Sequence, residues 1–220
     1  MSERVIRVTG KGKISLSPDK TVIRLDLNGS RKEYREALIA SGEATDQVKA
    51  SLAPLGFKKD AVKTVSFDID PEYESYQEKN VWKQRLVGYR YSHSLKLEFP
   101  RDRELLAFAL GALSLCPASP SVSISYGLMD PEAAKNKLLG LACQDALAKA
   151  KTLAEASGVR LGELLSVDYS WGQAELEVRP MRKAMALGAR MMTDEAAVDV
   201  DMEPDDITTT DTVTMVWAMK

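Results

Sequence analysis

The amino-acid sequence predicts an α+β fold in which a mainly antiparallel sheet carries three helices on one side. Apolar and polar residues alternate in seven segments, which is the period of a half-buried strand. In three longer segments the apolar residues recur at spacings of three and four, as on a helix with one apolar face. Short links between consecutive strands favour antiparallel pairing, and helices of this kind form a layer on a sheet. We therefore expect a single domain over residues 1–220.

The first predicted strand begins by Val5, and one of its faces carries Ile6, Val8, Gly10, Gly12, Ile14 and Leu16. The two glycines could begin a phosphate-binding loop, but no third glycine and no lysine–serine pair follow at the required spacing. We instead predict a strand that another element crosses closely. After a turn at Ser17-Pro18-Asp19, a second strand runs from Thr21 to Leu27. The short link predicts that it pairs antiparallel with the first.

The first predicted helix begins with a capping box formed by Ser30 and Glu33, and it ends at Gly56. Its apolar face carries Tyr34, Ala37, Leu38, Ala44, Val48, Leu52 and Leu55. A third strand starts at Val62, and residues 75–80 are the predicted tip of a hairpin. The apolar phase of the fourth strand holds Val87, Tyr89, Tyr91, His93, Leu95, Leu97 and Phe99.

The third strand carries a row of carboxylates at alternate positions, Asp68, Asp70 and Glu72. Side chains two apart on a strand point the same way, so the row is a candidate site for a hard cation such as calcium. A solvated acidic edge is the simpler interpretation, because no calcium-loop spacing and no tight-turn glycine accompany the row.

His93 is the only histidine of the chain and lies in the apolar phase of its strand. A single histidine in that position is more often a packed, hydrogen-bonded ring than a metal ligand or a catalytic base. The absence of a histidine pair argues against a typical zinc or non-haem iron site. Nothing in the sequence places a nucleophile beside His93, so we predict no cofactor and no catalytic residue.

The second half of the chain begins with a short helix that Asp102 caps, and a strand and a long helix follow it. Asp130 and Pro131 are typical of the start of the long helix, and Gly158 is typical of its end. The mostly alanine stripe lets this helix lie close against a sheet, and it contains Leu139, Ala142, Cys143, Ala146, Ala150, Leu153 and Ala154. Two more strands are predicted over residues 165–171 and 213–219.

A Met-rich excursion over residues 172–206 separates the last two strands. Met181, Met185, Met191 and Met192 give it apolar surface for a protein partner or a neighbouring subunit. A short basic amphipathic helix that contacts a membrane surface or a target groove is the alternative interpretation.

The charge balance limits the kinds of partner. Thirty basic and 32 acidic residues give a formal charge of −2, so we expect no nucleic-acid partner. No apolar run is long enough to span a membrane, so we expect no integral membrane segment. No leader precedes the first strand, which predicts a cytoplasmic location, or an exported one if a leader has been removed.

A series of short motifs follows one another along the chain: Val8-Thr9-Gly10-Lys11-Gly12, Pro18-Asp19, Leu55-Gly56, Val65-Ser66-Phe67, Pro71-Glu72-Tyr73, Gly88-Tyr89-Arg90, Gly127 to Glu132, Gly158 to Gly162 and Glu203-Pro204. Taken together and in this order, these motifs resemble the SIMPL domain family. The resemblance spans nearly the whole chain. It implies an α+β fold and, in some members, large ring-like homo-oligomers. It implies no reaction, because the family has no agreed catalytic residues and its roles are described as envelope-associated, stress-related or signalling functions.

Two hypotheses of function follow from the sequence. The favoured one is a non-enzymatic, self-associating scaffold or stress-related binding protein. The alternative is a metal-assisted hydrolase that uses Asp68, Asp70 and Glu72, or the acidic run near Asp205.

Overall fold

The computed structural model describes residues 4–78, 80–169 and 203–220. These residues form seven strands, three α-helices and a 3₁₀ turn at Ala53–Leu55. The strands are β1 (Val5–Leu16), β2 (Lys20–Arg31), β3 (Val62–Glu78), β4 (Val81–Pro100), β5 (Ser121–Gly127), β6 (Leu161–Asp168) and β7 (Ile207–Met219). The helices are α1 (Tyr34–Leu52), α2 (Arg103–Ser114) and α3 (Pro131–Ala156). The predicted α+β class, the number of helices and the order of the elements are confirmed.

The strands are divided between two antiparallel sheets, each in its own compact unit. The first sheet has the order β1-β7-β6, and α3 packs against it. The second has the order β3-β4-β2-β5, and α1 and α2 share its core. Each unit thus combines one sheet with its own helices.

The predicted pairing of β1 with β2 is wrong, since β1 pairs with β7 and β2 pairs with β4. The turn between β1 and β2 is held by hydrogen bonds to residues 127–129. The Asp19 amide donates to the Gly127 carbonyl oxygen at 3.1 Å, and the Asp19 carboxylate accepts from the Met129 amide at 2.7 Å. The short link therefore leads from one sheet to the other and does not close a hairpin.

The alanine stripe of α3 packs directly on β1, as predicted. Ala142, Ala146 and Ala150 are fully buried. A Cβ added to Gly10 would lie 2.1 Å from the Ala142 carbonyl oxygen, and one added to Gly12 would lie 2.2 Å from the carbonyl oxygen of Leu138. The close crossing predicted for β1 is thus confirmed. So is the cap at Asp130, whose carboxylate accepts from the Ala133 amide at 2.9 Å.

The predicted capping box of α1 is wrong. Glu33 is the N-cap residue and its side chain makes no capping hydrogen bond. Ser30 belongs to β2, where it pairs with Arg90, and its hydroxyl donates to the Glu72 carboxylate at 2.7 Å. Because Ser30 is part of the β2–β4 pairing, it does not cap the helix as the sequence pattern predicted.

The buried face of α1 is more polar than the sequence predicted. Tyr34 and Leu38 are about half exposed, whereas Ser41 and Thr45 are buried. Both hydroxyls face the Nδ1 atom of His93, at 3.0 and 3.2 Å.

His93 is a packed, hydrogen-bonded ring, as predicted. Its Nε2 atom lies 2.9 Å from the Thr64 hydroxyl, and the ring of Phe67 meets it edge-on with 5.0 Å between centroids. Burial lowers the pKa of His93 below its ordinary value, and the positive charge of Lys49 lowers it further. The neutral ring thus helps to hold α1 on the sheet.

We predict that Gly10→Ala destabilises the protein by about 1–3 kcal/mol, because the added methyl group forces β1 and α3 apart. Gly140→Ala is the matched control, since Gly140 lies on the exposed side of α3 with nothing within 4 Å of the added atom. It should leave stability unchanged or raise it slightly. Urea denaturation measures both variants, and equal midpoints would contradict the close packing.

We also predict that stability falls as the pH decreases below 6.5, the ordinary pKa of a histidine. The pKa of folded His93 is lowered, so the unfolded chain takes up its proton first and acid favours unfolding between the two values. The measurement is the free energy of unfolding between about pH 7.5 and about pH 5.5, a range in which ordinary carboxylates stay ionised. His93→Gln should flatten this dependence, and an equal slope in the variant would contradict the assignment.

Candidate functional site

The β3–β4 hairpin extends beyond the four-stranded sheet of the second unit. β2 pairs with β4 only over the part of β4 between Tyr89 and Pro100. In the part of the chain that the structure describes, residues 73–78 and 81–86 pair only with each other. We call these residues the arm. At its tip Glu78 is opposite Val81, and Asn80, the residue before Val81, adopts a left-handed φ of 62°.

The two faces of the arm differ in charge. Cross-strand partners lie on the same face of a ribbon, and successive residues alternate between faces. Three pairs, Tyr73 with Leu86, Ser75 with Gln84 and Gln77 with Trp82, therefore form one face without a formal charge. We call it the uncharged face. The opposite face carries Glu74, Tyr76, Val81, Lys83 and Arg85.

Large apolar side chains are exposed on the uncharged face. Trp82 is 71% exposed, Tyr73 is 56% exposed and Leu86 is 49% exposed. A two-stranded ribbon alone is marginally stable in water, and large apolar side chains left exposed on it gain from being covered. This face is therefore the best candidate for a functional surface in the described residues.

The charged face satisfies its own groups within the arm. The Arg85 guanidinium donates to the Glu74 carboxylate from Nε at 3.1 Å and from Nη2 at 2.8 Å. It also lies 5.5 Å from the centre of the Tyr76 ring. The hydrogen bonds that Arg85 donates to the Glu74 carboxylate raise the pKa of Arg85 above its ordinary value. These groups have partners without any second molecule.

A polar cluster fixes the arm at its base. Glu72 accepts hydrogen bonds from Ser30 of β2 and Arg90 of β4. The bond from Ser30 lowers the pKa of Glu72 most, and Arg90 lowers it further. A bulge between Glu72 and Tyr73 marks the start of the arm.

The predicted carboxylate row lies on β3 but forms no metal cluster with neighbouring ligands. Asp68 and Asp70 are exposed opposite Ser92 and Arg90, and Glu72 is held by Arg90 and Ser30. Over residues 4–78, 80–169 and 203–220, no three His, Cys, Asp or Glu residues are grouped so that they could share a metal ion. In the acidic run, the Asp206 carboxylate accepts from the Ser17 hydroxyl at 2.7 Å.

The predicted assembly residues Met181, Met185, Met191 and Met192 lie outside the described residues, so their role stays a prediction. The arm, in contrast, was missed. The sequence interpretation placed a hairpin tip at residues 75–80, whereas the ladder continues to the pair Glu78 and Val81. In the structure β4 has 20 residues and its neighbour β2 has 12, and this difference in length leaves the arm without a third strand.

Comparison with known proteins identifies the family. The model of the SIMPL family, described as a protein of unknown function (DUF541), matches residues 6–217. A 26 kDa periplasmic immunogenic protein of Brucella abortus (strain S19) is 32% identical over 190 residues, which cover 83% of this chain and 71% of the relative. The uncharacterized protein YggE of Escherichia coli (strain K12) is 25% identical over 203 residues, covering 91% and 80%.

A crystal structure of an uncharacterized conserved protein from Listeria innocua aligns with 96% of this chain and 92% of its own, but at 11% identity and a TM-score of 0.19 it supports no argument about fold. Among the described residues, no helix is long and apolar enough to cross a membrane. The family match over residues 6–217 confirms the resemblance that the motifs indicated. The chain belongs to the SIMPL family of proteins of unknown function.

Proposed function

We propose that this SIMPL protein is a non-enzymatic binding protein that associates with copies of itself and acts as a scaffold or in a stress-related role. The observation that carries the proposal is the exposed, uncharged face of the arm. Burial of a large apolar side chain contributes about 1.5–3 kcal/mol, so a face with Trp82, Tyr73 and Leu86 gains considerably from being covered.

The outer strand of the first sheet adds support. Leu164, Leu165 and Val167 of β6 are 46–50% exposed, and among the described residues β6 has a neighbouring strand on one side only. Unpaired sheet edges with apolar side chains are places where chains associate.

The surroundings of His93 support a role without catalysis. Ser41, the hydroxyl nearest its Nδ1 atom, is 1% exposed, so a substrate has no direct access to it. Thr64 lies at the opposite nitrogen. The only histidine of the chain thus has hydroxyl groups at both ring nitrogens, and these groups hold it within the fold.

The compartment is proposed from the relatives. The name of the Brucella protein describes that relative as periplasmic. This favours the exported alternative for the present chain over the cytoplasmic one.

We predict that light scattering after size-exclusion chromatography gives a discrete mass above that of the monomer. Replacement of residues 175–201 by a glycine–serine linker should lower this mass, because it removes the apolar side chains of Met181, Met185, Met191 and Met192. A monomer at high concentration would contradict self-association. An unchanged oligomer after the replacement would contradict only the role of the Met-rich segment.

We predict that millimolar calcium, magnesium or manganese leaves the melting temperature unchanged, because Glu72 is engaged by Arg90 and Ser30. The double variant Asp68→Ala, Asp70→Ala is the control. A rise of several degrees with one metal, lost in the double variant, would instead support the metal-assisted hydrolase.

A further inference from the structure

We propose that the uncharged face of the arm binds the same face of a second copy, with the two arms antiparallel about a two-fold axis. The inference rests on the proposed self-association and specifies its contact. The partner is a second copy of this chain, and the residues that meet are Tyr73, Ser75, Gln77, Trp82, Gln84 and Leu86.

The order of side chains along the face supports the antiparallel arrangement. Trp82 lies at the tip, the pair of Tyr73 and Leu86 lies at the base, and the pair of Ser75 and Gln84 lies between them. When a second arm is laid antiparallel on the first, each Trp82 meets the Tyr73 and Leu86 pair of the other copy. The neutral hydrogen-bonding groups of Ser75 and Gln84 then meet near the axis.

Charge distinguishes this contact from its alternatives. Two uncharged faces meet without repulsion and without burying an ion. Edge-to-edge pairing of two β3 strands would instead bring Glu72 and Glu74 close to their counterparts, and like charges on neighbouring strands are destabilising. The arm also lacks the excess of basic residues that attracts an anionic membrane, because Glu74 already pairs with Arg85.

The contact between two arms is small. Six residues of a strand span about 20 Å, and two strands are about 10 Å wide. Such a contact belongs to the small interfaces that bury less than about 1,200 Å² in total. We therefore expect reversible, concentration-dependent association through the arm, which other surfaces of the chain can reinforce.

Disulfide trapping of the full-length chain tests the axis. Gln84→Cys should give a covalent dimer on a non-reducing gel after mild oxidation, because a residue near a two-fold axis meets its own counterpart. Lys83→Cys is the matched control on the opposite face and should give none. The unsubstituted chain, oxidised in parallel, accounts for Cys116 and Cys143.

A substitution that introduces a charge on the uncharged face gives an independent measurement. Trp82→Lys should weaken dimerisation in analytical ultracentrifugation about tenfold or more, as expected for a buried aromatic anchor. Val81→Lys, at the neighbouring exposed position on the charged face, should leave it unchanged. Both side chains are exposed, so thermal melts should show that both variants remain folded.

The outcomes separate this inference from the proposed function. An oligomer in which Gln84→Cys gives no cross-link and Trp82→Lys has no effect would overturn the arm contact while leaving self-association intact. A full-length chain that is monomeric at all concentrations would overturn both. Vesicle binding that Trp82→Lys abolishes, without cross-linking of Gln84→Cys, would identify a lipid surface as the partner and overturn the two-fold contact.

Discussion

Gly88 is the point at which β4 loses β2 as its neighbour in the sheet of the second unit. Arg31, the last residue of β2, pairs with Tyr89, and a Cβ on Gly88 would lie 2.5 Å from the Arg31 carbonyl oxygen. A residue with a side chain would push the chain away from β4 where it leaves β2 for α1. The part of β4 before Gly88 therefore has β3 as its only neighbour among the described residues, and the arm follows from this constraint.

The distribution of charge decides which face of the arm depends on a partner. Arg85 and Glu74 pair within the arm, and an exposed ion pair of this kind contributes little to stability. They gain little from a second molecule and are costly to dehydrate. Trp82 and Tyr73 on the other face contribute more when they are covered, because apolar burial stabilises in proportion to the area removed from water. The same alternation of residues thus produces one face that stays hydrated and one that favours contact.

The sequence predicted local structure well and long-range pairing poorly. Alternation and helical spacing depend on neighbouring residues, so β4, α3 and the cap at Asp130 were found. The pairing of β1 with β7 joins distant parts of the chain, and no local pattern encodes it. Ser30 shows the same limit, because a distant carboxylate on Glu72 competes with the local cap. The arm was missed for this reason too: it exists because β2 ends early, which only the register reveals.

Several of the motifs that indicated the family hold the frame of the molecule together. Gly10 and Gly12 admit α3 to the surface of β1, and Asp19 ties its turn to residues 127–129. Asp130 caps α3, and Gly88 lets the chain leave β2. Each of these residues is engaged by close backbone packing or by hydrogen bonds to the backbone. They therefore support the scaffold on which the surfaces of the chain are presented. The uncharged face of the arm is the surface for which the physical argument is strongest.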